Sequence, residues 1–144
     1  MLQKPSTRKK ARRYAIQGLY QWHMSGSGIE EIELQFLESM NQAKVDVEYF
    51  REILVNTLRL INQLDEQLKP FLDRDFSEVN PVELSILRLA CYELTERMDI
   101  PYKVVINEAL ELSKTFGAAD GHKFVNGILD KLARKTRPLE AKPT

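Results

Sequence analysis

The feature that most restricts this chain is a single helical pattern beyond its midpoint. From Asn80 the sequence reads NPVELSILRLACYELTERMD. At about 100° per residue, Val82, Leu84, Ile86, Leu87, Leu89, Ala90, Cys91, Leu94 and Met98 cover an arc of about 220°. An arc that wide excludes a surface helix, because most of its sides must be packed against something. A bundle built around this segment follows. Asn80 suits the N-cap, Pro81 suits the first helical position, and Glu83 stands three residues after the cap, as in a capping box.

Two more helical patterns follow it. After Asp99-Ile100-Pro101, Val105, Ala109, Leu112 and Phe116 recur at helical spacing until Gly117, which is expected to end the helix in a left-handed conformation. Asp120 then caps a helix that buries Val125, Ile128, Leu129 and Leu132. Upstream, Ser6 or Thr7 can cap a helix reaching about Met24. Ala11, Tyr14, Ala15, Gly18, Leu19 and Trp22 form its apolar arc, and Lys9, Lys10, Arg13, Gln17 and Tyr20 project from the opposite side.

Ser25-Gly26-Ser27-Gly28 breaks that helix, and Ile29 to Met40 reads as the next, using Ile32, Phe36, Leu37 and Met40. Asp46 caps a third, with Val47, Phe50, Leu54, Leu58 and Ile61, and Leu64 and Leu68 mark a short fourth that ends near Pro70. No stretch alternates with period two and no hairpin turn is present, so the expected fold is all-α, about seven helices in two small packed bundles. The polar DRDFSE stretch, Asp73 to Glu78, separates them. It divides the chain into an N-terminal subdomain (1–76), a C-terminal three-helix subdomain (77–136) and a flexible tail (137–144).

Several function classes are excluded. No apolar run approaches the roughly 18 residues a membrane span needs, and the basic N-terminus leads into an amphipathic helix rather than a secretory signal. Cys91 has no second cysteine to pair with, which fits a reducing cytoplasm. His23, His122 and Cys91 are the only histidines and cysteine, and they lack metal-ligand spacing. With no glycine-rich phosphate loop and no nucleophile elbow, neither a catalytic centre nor a cofactor is expected.

Charge is unevenly placed. Residues 1–29 hold Lys4, Arg8, Lys9, Lys10, Arg12 and Arg13 and no acid; of the chain's 21 basic and 21 acidic residues, the remainder keeps 15 basic against 21 acidic. A basic arm on an acidic body points to a polyanion. Arginine and lysine neutralise phosphates, Gln17 can bond base edges, and Tyr20 offers a ring on which an unstacked base can lie. The plainer alternative is a solvated helix face. His122, Lys123 and Phe124 fall in the first turn of the last helix, where free amides and the helix dipole also favour phosphate.

Two stretches carry a resemblance. IPYKVVINEALELSKTFG followed by ADGHKFVNGILDKLA, and the opening RKKARRYAIQGLYQW, resemble the NusB family of bacterial transcription antitermination factors over nearly the whole chain. The resemblance implies the NusB-like antitermination fold and RNA binding through Arg8, Lys9, Lys10 and Arg12 of the basic arm. Two of these are lysines where arginines are common in the family, which keeps charge but loses the bidentate fork. It also implies that the His122-Lys123-Phe124 turn joins Tyr20 in the RNA surface. Glu83 becomes a candidate contact to a small-subunit ribosomal protein, NusE.

The implied function is binding of boxA in nascent single-stranded RNA, together with NusE, within the RNA polymerase antitermination complex that transcribes ribosomal RNA. Whether the free chain is a monomer or a self-masking homodimer is left open. Two alternatives remain: a NusB-like module of an RNA methyltransferase, for whose catalytic domain 144 residues leave no room, and a helical DNA-binding protein, for which no recognition helix is evident.

Overall fold

The structure, a computed structural model, describes residues 5–141. Seven α-helices are found among them: α1 (Pro5–Ser25), α2 (Ile29–Ser39), α3 (Val47–Arg59), α4 (Ile61–Leu68), α5 (Pro81–Glu96), α6 (Tyr102–Phe116) and α7 (Gly121–Thr136). Short 3-10 turns occupy Gln42–Lys44, Lys69–Phe71 and Phe76–Glu78. The all-α expectation and the number of helices both hold. No helix among the described residues is long and apolar enough to cross a membrane.

Two compact units divide between Arg59 and Leu60. The boundary expected at 76/77 therefore falls inside the second unit, because α4 packs on α5 and buries Leu64 and Leu68. A polar connection is a weak boundary signal when the helix before it carries an apolar face.

In the first unit, α1 packs on α3 and α2, and α2 on α3. Gly18 permits the approach: a Cβ there would stand 2.9 Å from Leu54 Cδ1 and 3.3 Å from Ile32 Cγ2. Tyr14, Phe36 and Phe50 form an aromatic cluster with centroids 6.2 to 6.4 Å apart. Ala11, Ala15, Ile16 and Leu19 supply the buried face of α1. Ser6 and Thr7 lie inside α1 rather than before it, since Pro5 is already helical. Thr7 O instead accepts from Asp46 N at 3.1 Å, and Asp46 Oδ1 caps α3 by accepting from Tyr49 N at 3.1 Å. Past Ser25, Gly26 turns the chain at φ 71°, a left-handed conformation glycine adopts without strain.

In the second unit α5 is central, packed by α4, α6 and α7. Every residue from Glu83 to Leu94 is buried, polar ones included. Arg88 makes a bidentate pair with Asp65 of α4, Nε to Oδ1 and Nη2 to Oδ2, both at 2.9 Å. Asn80 Oδ1 caps α5, accepting from Val82 N at 2.9 Å and Glu83 N at 3.3 Å. Met98, expected on the buried arc, is 60% exposed because the helix ends at Glu96. Phe116 at the end of α6 is likewise 39% exposed. Val105, Ala109, Leu112, Val125, Ile128, Leu129 and Leu132 are buried as their spacing requires.

Two endings differ from expectation. Gly117 is extended (φ −91°, ψ −175°), not left-handed. Glycine is needed there for room, since a Cβ would lie 2.8 Å from Ser113 O. Residues 137–141 do not fray: Arg137 is 2% exposed, and its guanidinium donates to Leu94 O, Ile100 O, Glu93 O and Arg97 O. It thereby ties the end of α5 to the turn that follows it, adding a second donor to Glu93 O and Arg97 O, which also accept the Arg97 and Ile100 amides. Glu140 pairs with Arg137 at 2.7 Å and accepts Tyr102 N at 2.8 Å, at the start of α6. Ala141 closes the described chain, buried.

Candidate nucleic-acid interface

The expected site residues fall in both units. On α1, the helical spacing sorts the basic residues into two groups. Lys10, Arg13, Gln17 and Tyr20 follow one another by three or four residues along one stripe, with Arg13 and Gln17 exposed and Tyr20 38% exposed. Lys10 is half-buried on the same stripe, and Lys9 flanks it, also half-buried. No acid occurs anywhere in α1, so the stripe presents a positive field with one accessible ring.

Arg12 is on the other side. It precedes Ile16 by one turn, lies within the buried face and is 3% exposed, with its guanidinium 5.4 Å from the Tyr49 ring centroid. The expectation that Arg12 binds RNA is corrected here: a buried guanidinium cannot meet a phosphate without leaving its seat. Arg8, one turn earlier, covers the same Tyr49 ring at 4.2 Å and stands 3.9 Å from Asp46 Oδ2, with about a third of its side chain in water. It is shared between fold and surface. Lys4 lies outside the described residues.

In the second unit, His122, Lys123 and Phe124 occupy the first turn of α7. His122 and Phe124 are half-buried and Lys123 is exposed, 3.5 Å from Asp120 Oδ1. Phe124 is not core: the guanidinium of Arg74 lies 4.6 Å from its ring centroid. Arg74 is a residue the sequence reading missed. Asp73 Oδ1 accepts from its Nε at 2.8 Å; this bond holds the Asp73 carboxyl below its usual range and raises the Arg74 pKa. The available signal was one cation amid the acids of DRDFSE, and sequence alone does not reveal which ring it covers.

Glu83 is also displaced from its expected role. It is 4% exposed, packed where Gly121 lacks a side chain, and so is withdrawn from a partner's reach. Burial raises its pKa, with Arg74 opposing. Among the described residues no group of three His, Cys, Asp or Glu is placed to hold a metal ion.

The NusB family profile matches residues 9–134. The chain belongs to the NusB family. Transcription antitermination protein NusB of Shewanella amazonensis is 59% identical over 132 residues, covering 92% of this chain and 98% of that protein. The protein of the same name from Alcanivorax borkumensis is 55% identical over 137 residues, covering 95% and 91%. Among solved structures, T. maritima NusB is 29% identical with a TM-score of 0.84, covering 97% of this chain and 98% of that one. A structure of the antitermination factors NusB and NusE in complex with double-stranded RNA is 25% identical with a TM-score of 0.81, covering 92% and 99%. The NusB fold thus extends over essentially all of the described chain.

Proposed function

We propose that this chain is an RNA-binding transcription antitermination factor that acts together with NusE, the small-subunit ribosomal protein. The observation that carries the reading is the α1 stripe of Lys10, Arg13, Gln17 and Tyr20 on an acid-free helix. Its cations neutralise backbone phosphates, its amide can bond a base edge, and its ring can take a base by stacking. The antitermination name of the relatives, and the NusB–NusE–RNA complex among the structural neighbours, support it. Lys9 adds charge at the flank, and His122, Lys123 and Phe124 form a second RNA contact. Arg8 and Arg12 act mainly by holding α1.

The RNA is boxA of the nascent transcript, bound in the cytoplasm as part of the RNA polymerase antitermination complex on ribosomal RNA operons. A few cations and one or two rings give affinity more readily than base specificity. NusE supplies the remainder, drawn by the acidic body that includes Asp73, Asp75 and Glu78. The test is titration of a boxA-like RNA and a scrambled RNA, single-stranded and duplex, with this protein, with NusE, and with both. Tighter and more selective binding by the pair is expected, with RNA raising affinity for NusE by the same factor. Equal affinity and equal discrimination with and without NusE would sink the shared mechanism.

A further inference from the structure

Glu83 and Gly121 are each unfavourable alone. A carboxyl buried at the start of α5 loses its hydration, and a glycine opening α7 gives up helix propensity. Gly121 has no conformational reason to be glycine: the only glycine with positive φ among the described residues is Gly26. Each residue explains the other. A Cβ at position 121 would overlap the Glu83 carboxyl, and one at 117 would stand 3.6 Å from Glu83 Cγ. The second distance is ordinary contact, so it is Gly121 that opens the cradle that Glu83 fills, with Gly117 alongside.

The cradle lies directly before the His122-Lys123-Phe124 turn. Asp120 is at the N-cap of α7, but its side chain makes no cap hydrogen bond, so the Glu83 carboxyl is the acidic group seated against the first residue of that helix. Phe124, three residues after Gly121, is covered by Arg74 at 4.6 Å, so the ring of that turn moves with the start of α7.

We propose that Glu83 is a positioning residue for RNA binding: seated in the cradle that Gly121 opens, it fixes the start of α7, and so sets the His122-Lys123-Phe124 turn. The proposal rests on the RNA reading above and adds to it a residue that need not touch RNA.

The test is a double-mutant cycle on the full chain, read by denaturant midpoint, by the Phe124 ring signals in NMR, and by affinity for a boxA-like single-stranded RNA. Gly121→Ala should lower the midpoint, shift the Phe124 signals and weaken RNA binding about tenfold, because the new Cβ expels the carboxyl. In a Glu83→Ala background the sign should reverse, with Gly121→Ala raising the midpoint, since alanine is the better helix former and nothing remains to expel. Glu83→Gln keeps the shape and should bind RNA more tightly than Glu83→Ala. A Gly121→Ala protein that keeps full affinity, or that is stabilised while Glu83 is present, overturns the proposal. Failure of the unaltered protein to bind the RNA overturns the RNA reading instead, and the midpoints still report on the cradle.

Discussion

Arg12 lies over Tyr49, its guanidinium 5.4 Å from the ring centroid, and shares that ring with Arg8 at 4.2 Å. The basic arm is therefore two sets of residues with different duties. One set fastens α1 to α3, and the other faces solvent.

That division gives opposite signatures on mutation. Arg12→Ala should lower unfolding free energy by about 2 to 4 kcal/mol, as expected when a buried guanidinium is removed from its partners, and leave the salt dependence of RNA binding nearly intact. Lys10→Ala and Arg13→Ala should barely change stability, and each should flatten the log-log salt slope by about 0.7 if it neutralises one phosphate of single-stranded RNA. A flattened slope at unchanged stability for Arg12→Ala would refute the assignment.

Tyr20 is 38% exposed and belongs to the outer stripe. Tyr20→Ala should weaken RNA binding by about 1 to 3 kcal/mol through lost stacking, with the salt slope unaltered. A drop in melting temperature at constant affinity would instead make Tyr20 a packing residue.

The Arg137–Glu140 clasp predicts a pH effect. The Tyr102 amide, and then Arg137, hold the Glu140 pKa below its ordinary 4.5. A depressed folded pKa means that the contribution to stability is complete above the unfolded value and is lost as pH falls through the folded one. Denaturant midpoints of the unaltered protein and of Glu140→Gln should therefore differ at neutral pH and converge in acid. Arg137→Ala should destabilise at every pH, because the guanidinium's hydrogen bonds to four buried backbone carbonyls are lost. If Glu140→Gln keeps its full deficit in acid, the clasp is not carried by ionised Glu140.

Cys91 is fully buried, its thiol pushed up to about 12 by burial and then by Asp65. At pH 8 only about one thiol in ten thousand is thiolate, so a thiol reagent should label the protein at the rate of its unfolding. Rapid stoichiometric labelling of the folded chain would contradict the packing of α5.

The sequence by itself determined the helices and most of the core. Apolar period, Asn80 and Asp46 as caps, and glycine breaks are local properties, and they placed α5 at a centre because its apolar arc was too wide for a surface. It also showed which face of α1 was basic. The boundary between units, the fate of individual cations and the reason for Gly121 were decided by tertiary structure alone. A helical stripe records spacing but not what packs on it. Thus Arg12 reads as surface charge until Tyr49 covers it, and Arg137 reads as a tail until the carbonyls of α5 receive it. Glu83 reads as a helix cap until the absent side chain of Gly121 opens a seat for it. In each case a polar group is buried because partners distant in sequence satisfy or surround it, and such pairings form only when helices meet.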